Sequence, residues 1–263
     1  MKKIFLLMAF ALTVSVANAW VKQCDEAVVL VATKHLTPKA MQAVESYLGK
    51  SYADDVHYLY TLERKKTPKY SKEVHYVHLN SDLQSVEGSA DDALLVMEQS
   101  VALIRAYENY TDAEIKEALR IVINLMCDAH NLSYFRVDGV EHSQKPFKFV
   151  RKVREYGKNL NETAPVRWAT LWSNYCNRHR GFSSALWAED IELCLGGKFA
   201  EYSEGTLREW ILQNGAKSAS YLAYINPSYV MPVLEFQELE DVNYEMMARA
   251  GFRLAALLND IFK

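Results

Sequence analysis

The stretch TDAEIKEALRIVINLMCDAH, residues 111–130, decides the fold of this chain. It opens with a capping box, in which Thr111 caps the first turn of a helix and Glu114 bonds back to it. The apolar residues that follow lie on nearly every side of a helix, which is typical of a helix at the centre of a domain. Asn124 and Asp128 are four residues apart and therefore share one face. The stretch predicts a buried central helix that carries polar groups.

Helical periodicity extends to both sides of this stretch. It predicts further helices over residues 25–32, 37–48, 90–107 and 243–262, and the second has Thr37 as its N-cap and Pro38 at the first helical position. Residues 72–79, KEVHYVHL, alternate with period two and could be a short strand or an extended segment.

The least regular part of the chain covers residues 131–161, and we predict a long loop or a small extended excursion there. The sequence contains no internal repeat and no Gly/Ser-rich linker. The expected fold class is therefore all-α, in a single helical domain with a long irregular loop after the central helix.

Length and composition limit the class of protein. The 263 residues, 50% of them hydrophobic and 24% charged, suffice for a substantial core and exclude a disordered or fibrous chain. The formal net charge of −3 argues against a protein that holds nucleic acid by bulk basicity. A nucleic-acid substrate would have to be held by the residues of a local site and not by overall charge.

Residues 1–19 are typical of a secretory signal peptide, with two lysines, an apolar stretch and the small-residue cleavage site Ala-Asn-Ala. The alternative, a membrane anchor, is weaker because the apolar run is shorter than the about 20 residues a spanning helix needs. Cleavage after Ala19 leaves residues 20–263, and the loss of two lysines and no acids takes the charge from −3 to −5. We expect an exported protein, periplasmic or extracellular, without stable membrane insertion.

Metal-ligating residue types recur in separate segments. A mature N-terminus at Trp20 would place an α-amine beside its own carbonyl, and that pair of atoms can chelate a metal ion. Carboxylates and an imidazole that could join it are Asp25, Asp54, His75 and Asp128. Zinc takes His nitrogen and carboxylate oxygen in compact geometry.

Two of these acids have structural alternatives. Asp54 and Asp55 could form an ordinary helix-capping pair. Asp128 on an apolar helix is costly to bury unless it is paired or metal-bound. Its best structural alternative is a hydrogen bond to Asn124 or a buried arginine.

A set of segments spans the whole mature chain in a recognisable order. They are Trp20, HLTPKAM (35–41), YADDV (52–56), VHYV (74–77), CDAH (127–130) and AGFRLAALLNDIF (250–262). Together they resemble the zinc-dependent single-strand nucleases of the mung bean nuclease type, within the phospholipase C/nuclease superfamily. Members are exported all-helical enzymes that begin with Trp after signal cleavage and hold three zinc ions. The resemblance implies that fold for residues 20–263.

The resemblance also implies roles for individual residues. Trp20 matches the residue whose amine and carbonyl bind one zinc, and Asp25 stands where the family has a His that ligates it. Asp54 and His75 match two ligands of the buried zinc. Asp128 matches the carboxylate that bridges two zincs. Asp54, beside the metal-bound water, would be the catalytic base.

The chain departs from the family pattern at four further ligand positions. Asn124 and Tyr134 stand where the family has His, and Ala169 and Ser173 stand where its later His and Asp occur. Asn124 is a poor zinc ligand, since its amide is neutral. His130 or His142 could substitute for the lost imidazoles. We therefore expect one or two zinc ions rather than three, or none.

Two functions remain open from the sequence. The first is a zinc-dependent nuclease or phosphodiesterase of reduced activity, which hydrolyses single-stranded DNA, RNA or nucleotides by metal-activated water. The second is a catalytically inactive member that acts as an exported binding or scaffold protein. The expected state is a monomer, and no protein partner is inferred.

The same resemblance leads to an expectation for the pairing of the cysteines. If Asp25 and Asp128 share a metal, as their family counterparts do, Cys24 and Cys127 should approach each other and form a disulfide. Cys176 and Cys194 would then be the second pair. Four reduced, buried thiols are the alternative.

Overall fold

The capping box at residue 111 begins a 17-residue buried helix in the computed structural model of the chain. The structure describes residues 20–85, 91–140, 145–155, 158–175 and 181–263. Helices dominate this part. They are α1 (Lys22–His35), α2 (Pro38–Leu48), α3 (Tyr58–Glu63), α4 (Ala93–Arg105), α5 (Asp112–Asp128), α6 (Trp168–Thr170), α7 (Ser184–Leu195), α8 (Phe199–Tyr202), α9 (Leu207–Leu222) and α10 (Val233–Ile261).

The strands of the described residues are short and form two small sheets. They are β1 (Val77–Leu79), β2 (Phe135–Val137), β3 (Phe147–Glu155), β4 (Lys158–Val166) and β5 (Val230–Met231). β1 pairs with β2 in parallel, and the second sheet has the order β4-β3-β5. The expectation of a mainly helical domain is confirmed.

The central helix α5 follows its sequence signals closely. The Thr111 hydroxyl accepts from the backbone N–H of Glu114 at 3.3 Å, and the Glu114 carboxylate accepts from the backbone N–H of Thr111 at 2.9 Å. All residues from Ile121 to Asp128 are buried. α5 packs against α4 and lies in one continuous hydrophobic core with α1 and α10.

The irregular part after α5 is a small extended excursion rather than a long loop. β3 and β4 form an antiparallel hairpin with Phe147 opposite Val166. Phe147 and Phe149 are buried and anchor the base of the hairpin to the core. Only three residues of KEVHYVHL form the strand β1, because residues 72–75 turn as a 3-10 helix.

The C-terminal helix α10 is longer than predicted and packs along α1. It begins directly after Pro232 and runs for 29 residues. A Cβ atom on Gly251 would lie 2.6 Å from the Val31 side chain and 2.9 Å from the Val28 backbone oxygen. The two helices therefore approach closely because residue 251 has no side chain. Within the described residues, no helix has the length and apolar character needed to cross a membrane.

We predict that Gly251→Ala lowers the free energy of unfolding by about 1–3 kcal/mol, because the added methyl group overpacks the α1–α10 contact. Alanine has a higher helix propensity than glycine, by about 1 kcal/mol. The same substitution at an exposed helix position would therefore raise the free energy of unfolding. Urea unfolding measures the change. Gly197→Ala is the matched control, since a Cβ at Gly197 meets nothing within 4 Å. A Gly251→Ala protein as stable as the parent would contradict the close approach.

Candidate functional site

Buried polar side chains meet where α1, α3 and α5 come together with the 3-10 helices Tyr52–His57 and Lys72–His75. We call this group the polar cluster. Its members are Asp25, His57, Tyr60, Glu63, His75, Asn124, Asp128 and Tyr134. It includes three of the acids and imidazoles that the sequence singled out as metal ligands.

Asp128 is the centre of the cluster and has no exposed surface. Its Oδ2 accepts from His75 Nδ1 at 2.7 Å and from Asn124 Nδ2 at 3.0 Å. Its Oδ1 accepts from the Tyr60 hydroxyl at 3.3 Å. The Asn124 carbonyl in turn accepts from the backbone N–H of Leu59 at 2.9 Å. The structural alternative for Asp128, a hydrogen bond to Asn124, is therefore confirmed.

His75 lies between two carboxylates. Its Nε2 is 3.1 Å from Oε1 of Glu63, although the two atoms do not meet in hydrogen-bond geometry. Its ring stacks on Tyr60, with centroids 4.1 Å apart. Burial lowers the pKa of His75, but the carboxylates of Asp128 and Glu63 raise it by more, so that the net shift is upward. This environment favours the imidazolium form.

Asp25 is the second buried acid, and it is paired with His57. His57 Nε2 lies 2.9 Å from Asp25 Oδ2. Burial, opposed by the contact with His57, raises the pKa of Asp25 to about 6. The backbone N–H of Trp20 lies close enough to this carboxylate to lower its pKa. Trp20 itself is buried, and its indole N–H donates to Asn243 Oδ1 at 2.6 Å.

Asp54, the predicted catalytic base, lies outside the polar cluster. Tyr52 and Val56 occupy the buried side of the 3-10 helix, which leaves Asp54 between them on the exposed side. Its neighbour Asp55 pairs with Arg120 Nε at 2.9 Å. The structure therefore does not bring Asp54 to His75 or Asp128, as the resemblance implied. His57 and Glu63 instead supply the cluster's remaining imidazole and carboxylate.

His130 is not a substitute ligand in this structure. Its Nδ1 donates to the backbone oxygen of Met126 at 2.8 Å, and its Nε2 accepts from Arg253 Nη1 at 3.1 Å. Burial, together with the guanidinium of Arg253, holds the pKa of His130 well below its ordinary value. Both ring nitrogens are in use. The other proposed substitute, His142, lies outside the described residues.

The positions where the resemblance implies further zinc ligands, and their neighbours, contain residues that pack or bond within the protein. The Ser173 hydroxyl donates to the backbone oxygen of Ala169. Trp168 and Trp172 are buried and meet edge to face. The Tyr134 hydroxyl lies 2.9 Å from that of Tyr60 and so joins the polar cluster.

The polar cluster lacks the convergent donors of a zinc site among the described residues. Zinc binds through at least three protein donors that converge on one point. Among the described residues, no three His, Cys, Asp or Glu side chains converge in that way. The acids and imidazoles pair with each other instead, and Asp54 is exposed. In this arrangement the described residues do not fit the ion that the resemblance implies.

Cys24 and Cys127 do not form the expected disulfide in this structure. Both are buried, and the Cys127 Sγ lies 3.9 Å from the backbone oxygen of Asp25, the residue after Cys24. Burial raises the pKa of the Cys127 thiol well above its ordinary value, which keeps it protonated. Cys176 lies outside the described residues, so the second pairing, with the exposed Cys194, stays a prediction.

Comparison with known proteins adds no assignment. No family model matches this chain. No curated protein matches it. The likeness to zinc-dependent nucleases therefore stays a prediction from the sequence.

We predict that His130→Gln reduces the loss of stability in acid. The unfolded chain binds a proton at the ordinary histidine pKa near 6.5, whereas folded His130 stays neutral, so stability falls as pH drops below about 6.5. The loss attributable to this residue approaches about 1.4 kcal/mol per pH unit. Denaturant unfolding of both proteins between pH 7.5 and pH 5 measures it. Parallel pH profiles for parent and variant would show that His130 is protonated in the folded protein.

Proposed function

We propose that this protein is an exported, non-catalytic relative of the zinc-dependent single-strand nucleases, and that it binds single-stranded nucleic acid or nucleotides without efficient hydrolysis. One observation supports the proposal that the protein is non-catalytic. His75 faces a carboxylate with each ring nitrogen, and Asn124 donates to the same oxygen of Asp128. Two of the groups that the resemblance assigns to metal binding, His75 and Asp128, are thus engaged with each other.

The polar cluster is poorly suited to the hydrolytic chemistry of that family. Hydrolysis there needs water activated by metal and a carboxylate base beside it. The Asp128 oxygens accept three hydrogen bonds from side chains. Asp54, the base that the resemblance implies, is exposed. These features support a structural role for the polar cluster, which links α1, α3 and α5.

The basic sequence of the β3–β4 hairpin supports the proposal that the protein binds an anionic polymer. Between residues 147 and 158 the sequence has a single acid, Glu155, and five basic residues, which are Lys148, Arg151, Lys152, Arg154 and Lys158. The chain as a whole is acidic, with a formal charge of −3. A local concentration of Lys and Arg neutralises phosphates and gives affinity without sequence preference.

A specific observation favours the second candidate, a zinc phosphoesterase. Within the polar cluster, three buried atoms of the described residues have no hydrogen-bond partner, namely Asp25 Oδ1, Glu63 Oε1 and His75 Nε2. Unsatisfied buried polar atoms are costly. A cation drawn to these atoms, with rearrangement of the pairs, would satisfy them.

We predict that protein processed to begin at Trp20 contains much less than one equivalent of zinc and hydrolyses single-stranded DNA, RNA and an aryl phosphodiester no faster than a heat-denatured sample. It should bind a fluorescent single-stranded oligonucleotide, with affinity that falls as salt rises. Metal analysis, hydrolysis assays and fluorescence anisotropy make the three measurements.

The matched variants are Lys148→Glu/Lys152→Glu in the hairpin and Lys65→Glu/Lys66→Glu, which makes the same charge change near the end of α3. The first pair should weaken binding at least tenfold and the second should change it little. Stoichiometric zinc with turnover would establish the phosphoesterase instead. Absence of both binding and turnover would contradict both candidates.

A further inference from the structure

Asp25 is a fully buried acid of the polar cluster, and its hydrogen bonds are incomplete. The residue is 1% exposed, so water does not solvate its carboxylate. Oδ2 is paired with His57, whereas Oδ1 has no hydrogen-bond partner within the residues that the structure describes. A buried carboxylate oxygen without a donor costs free energy. This position is therefore suited to an additional cationic donor.

Trp20 holds the chain beside this oxygen. Its side chain is 1% exposed and is tied to α10 through the hydrogen bond from the indole to Asn243. The backbone N–H of Asp25 donates to the Val21 oxygen at 3.4 Å, which is the first turn of α1. The backbone N–H of Trp20 lies close enough to the Asp25 carboxylate to lower its pKa.

The geometry points to a site completed by processing. We propose that hydrolysis of the peptide bond between Ala19 and Trp20 creates an α-ammonium at Trp20 that forms a buried ion pair with Asp25. In this cut, which a signal peptidase would catalyse, the C–N bond breaks and one water is consumed. Its hydroxyl goes to the Ala19 carbonyl carbon. The released acid ionises, and the new amine holds three protons at neutral pH.

The two states of the nitrogen differ in what they offer Asp25. An amide has one N–H, fixed in the plane of the peptide, and no charge. An α-ammonium has three N–H donors and a positive charge, and its bonds to carboxylates are charge-assisted. The ammonium would also offset the excess of acids in the cluster, where Asp25, Glu63 and Asp128 face two imidazoles. Processing would therefore stabilise the exported form over its precursor.

This inference rests on the cut before Trp20 and holds whether or not the protein hydrolyses anything. It differs from the arrangement implied by the nuclease resemblance, in which the same amine binds zinc. Here the partner is the chain's own Asp25, at the position where the family has His.

The test compares residues 20–263 with residues 19–263, each with Asp25 intact and with Asp25→Asn, in excess chelator and again without chelator. The native start at Trp20 is obtained from a fusion whose protease leaves no extra residue. With Asp25 present, retaining Ala19 should lower Tm by roughly 3 °C or more, given that about 1 kcal/mol shifts Tm by 2–4 °C at this size. With Asp25→Asn the difference should largely vanish. Asp54→Asn, a change at an exposed acid, should leave the full difference in place.

A second measurement does not depend on the Asp25 variant folding. Folded protein starting at Trp20 is treated with an amine-acylating reagent at neutral pH, and peptides are analysed by mass spectrometry. The Trp20 amine should react at least tenfold more slowly than in the denatured protein. Labelling at the denatured rate would overturn the proposal, as would an equal Tm loss in both Asp25 backgrounds. A Tm difference that appears only without chelator would show that zinc holds the amine.

Discussion

The burial of Asp128 at the end of the central helix is the constraint on which the surrounding structure depends. A carboxylate without solvent is tolerated only when donors from the protein replace water. The donors to Asp128 come from three separate segments: α5 itself through Asn124, α3 through Tyr60, and the 3-10 helix before β1 through His75. Satisfying one acid therefore fixes the position of three segments against one another.

The same requirement accounts for the residues around this acid. His75, placed beside Asp128, brings Glu63 to its other nitrogen, and the ring stacks on Tyr60. Asn124 is useful here because its amide donates to Asp128 and accepts from the Leu59 backbone. A residue that weakens the implied zinc site is therefore well suited to the hydrogen-bonded arrangement.

Local signals in the sequence predicted helices, but they could not predict pairings between residues that are far apart in the chain. Thr37 with Pro38, and Thr111 with Glu114, mark helix starts that the structure confirms. Thr206 and Glu209 form the same capping box before α9, so that helix was predictable and was missed. The hairpin was not, because the position of β3 depends on β5, more than 70 residues later in the chain.

The candidate site, too, was only partly predictable from the sequence. Asp25, His75 and Asp128 were chosen from the sequence and do lie in the polar cluster. His57 was overlooked because its partner Asp25 is 32 residues away, and no local pattern joins them. Asp54 was chosen and is exposed, because the core side of its 3-10 helix is occupied by Tyr52 and Val56. Spacing identified the polar residue types, whereas three-dimensional packing decided which of them meet.

His75 lies between the carboxylates of Asp128 and Glu63, which raise its pKa, in the cluster where the resemblance implies a metal. Nitrogen NMR of histidine-labelled protein starting at Trp20 tests this directly, because ring nitrogen shifts distinguish protonated, unprotonated and metal-bound states. The account predicts that the pKa of His75 lies above the ordinary histidine value and that a chelator leaves the ring nitrogen shifts unchanged. A pKa at or below the ordinary value, or a shift that changes when chelator is added, would contradict it.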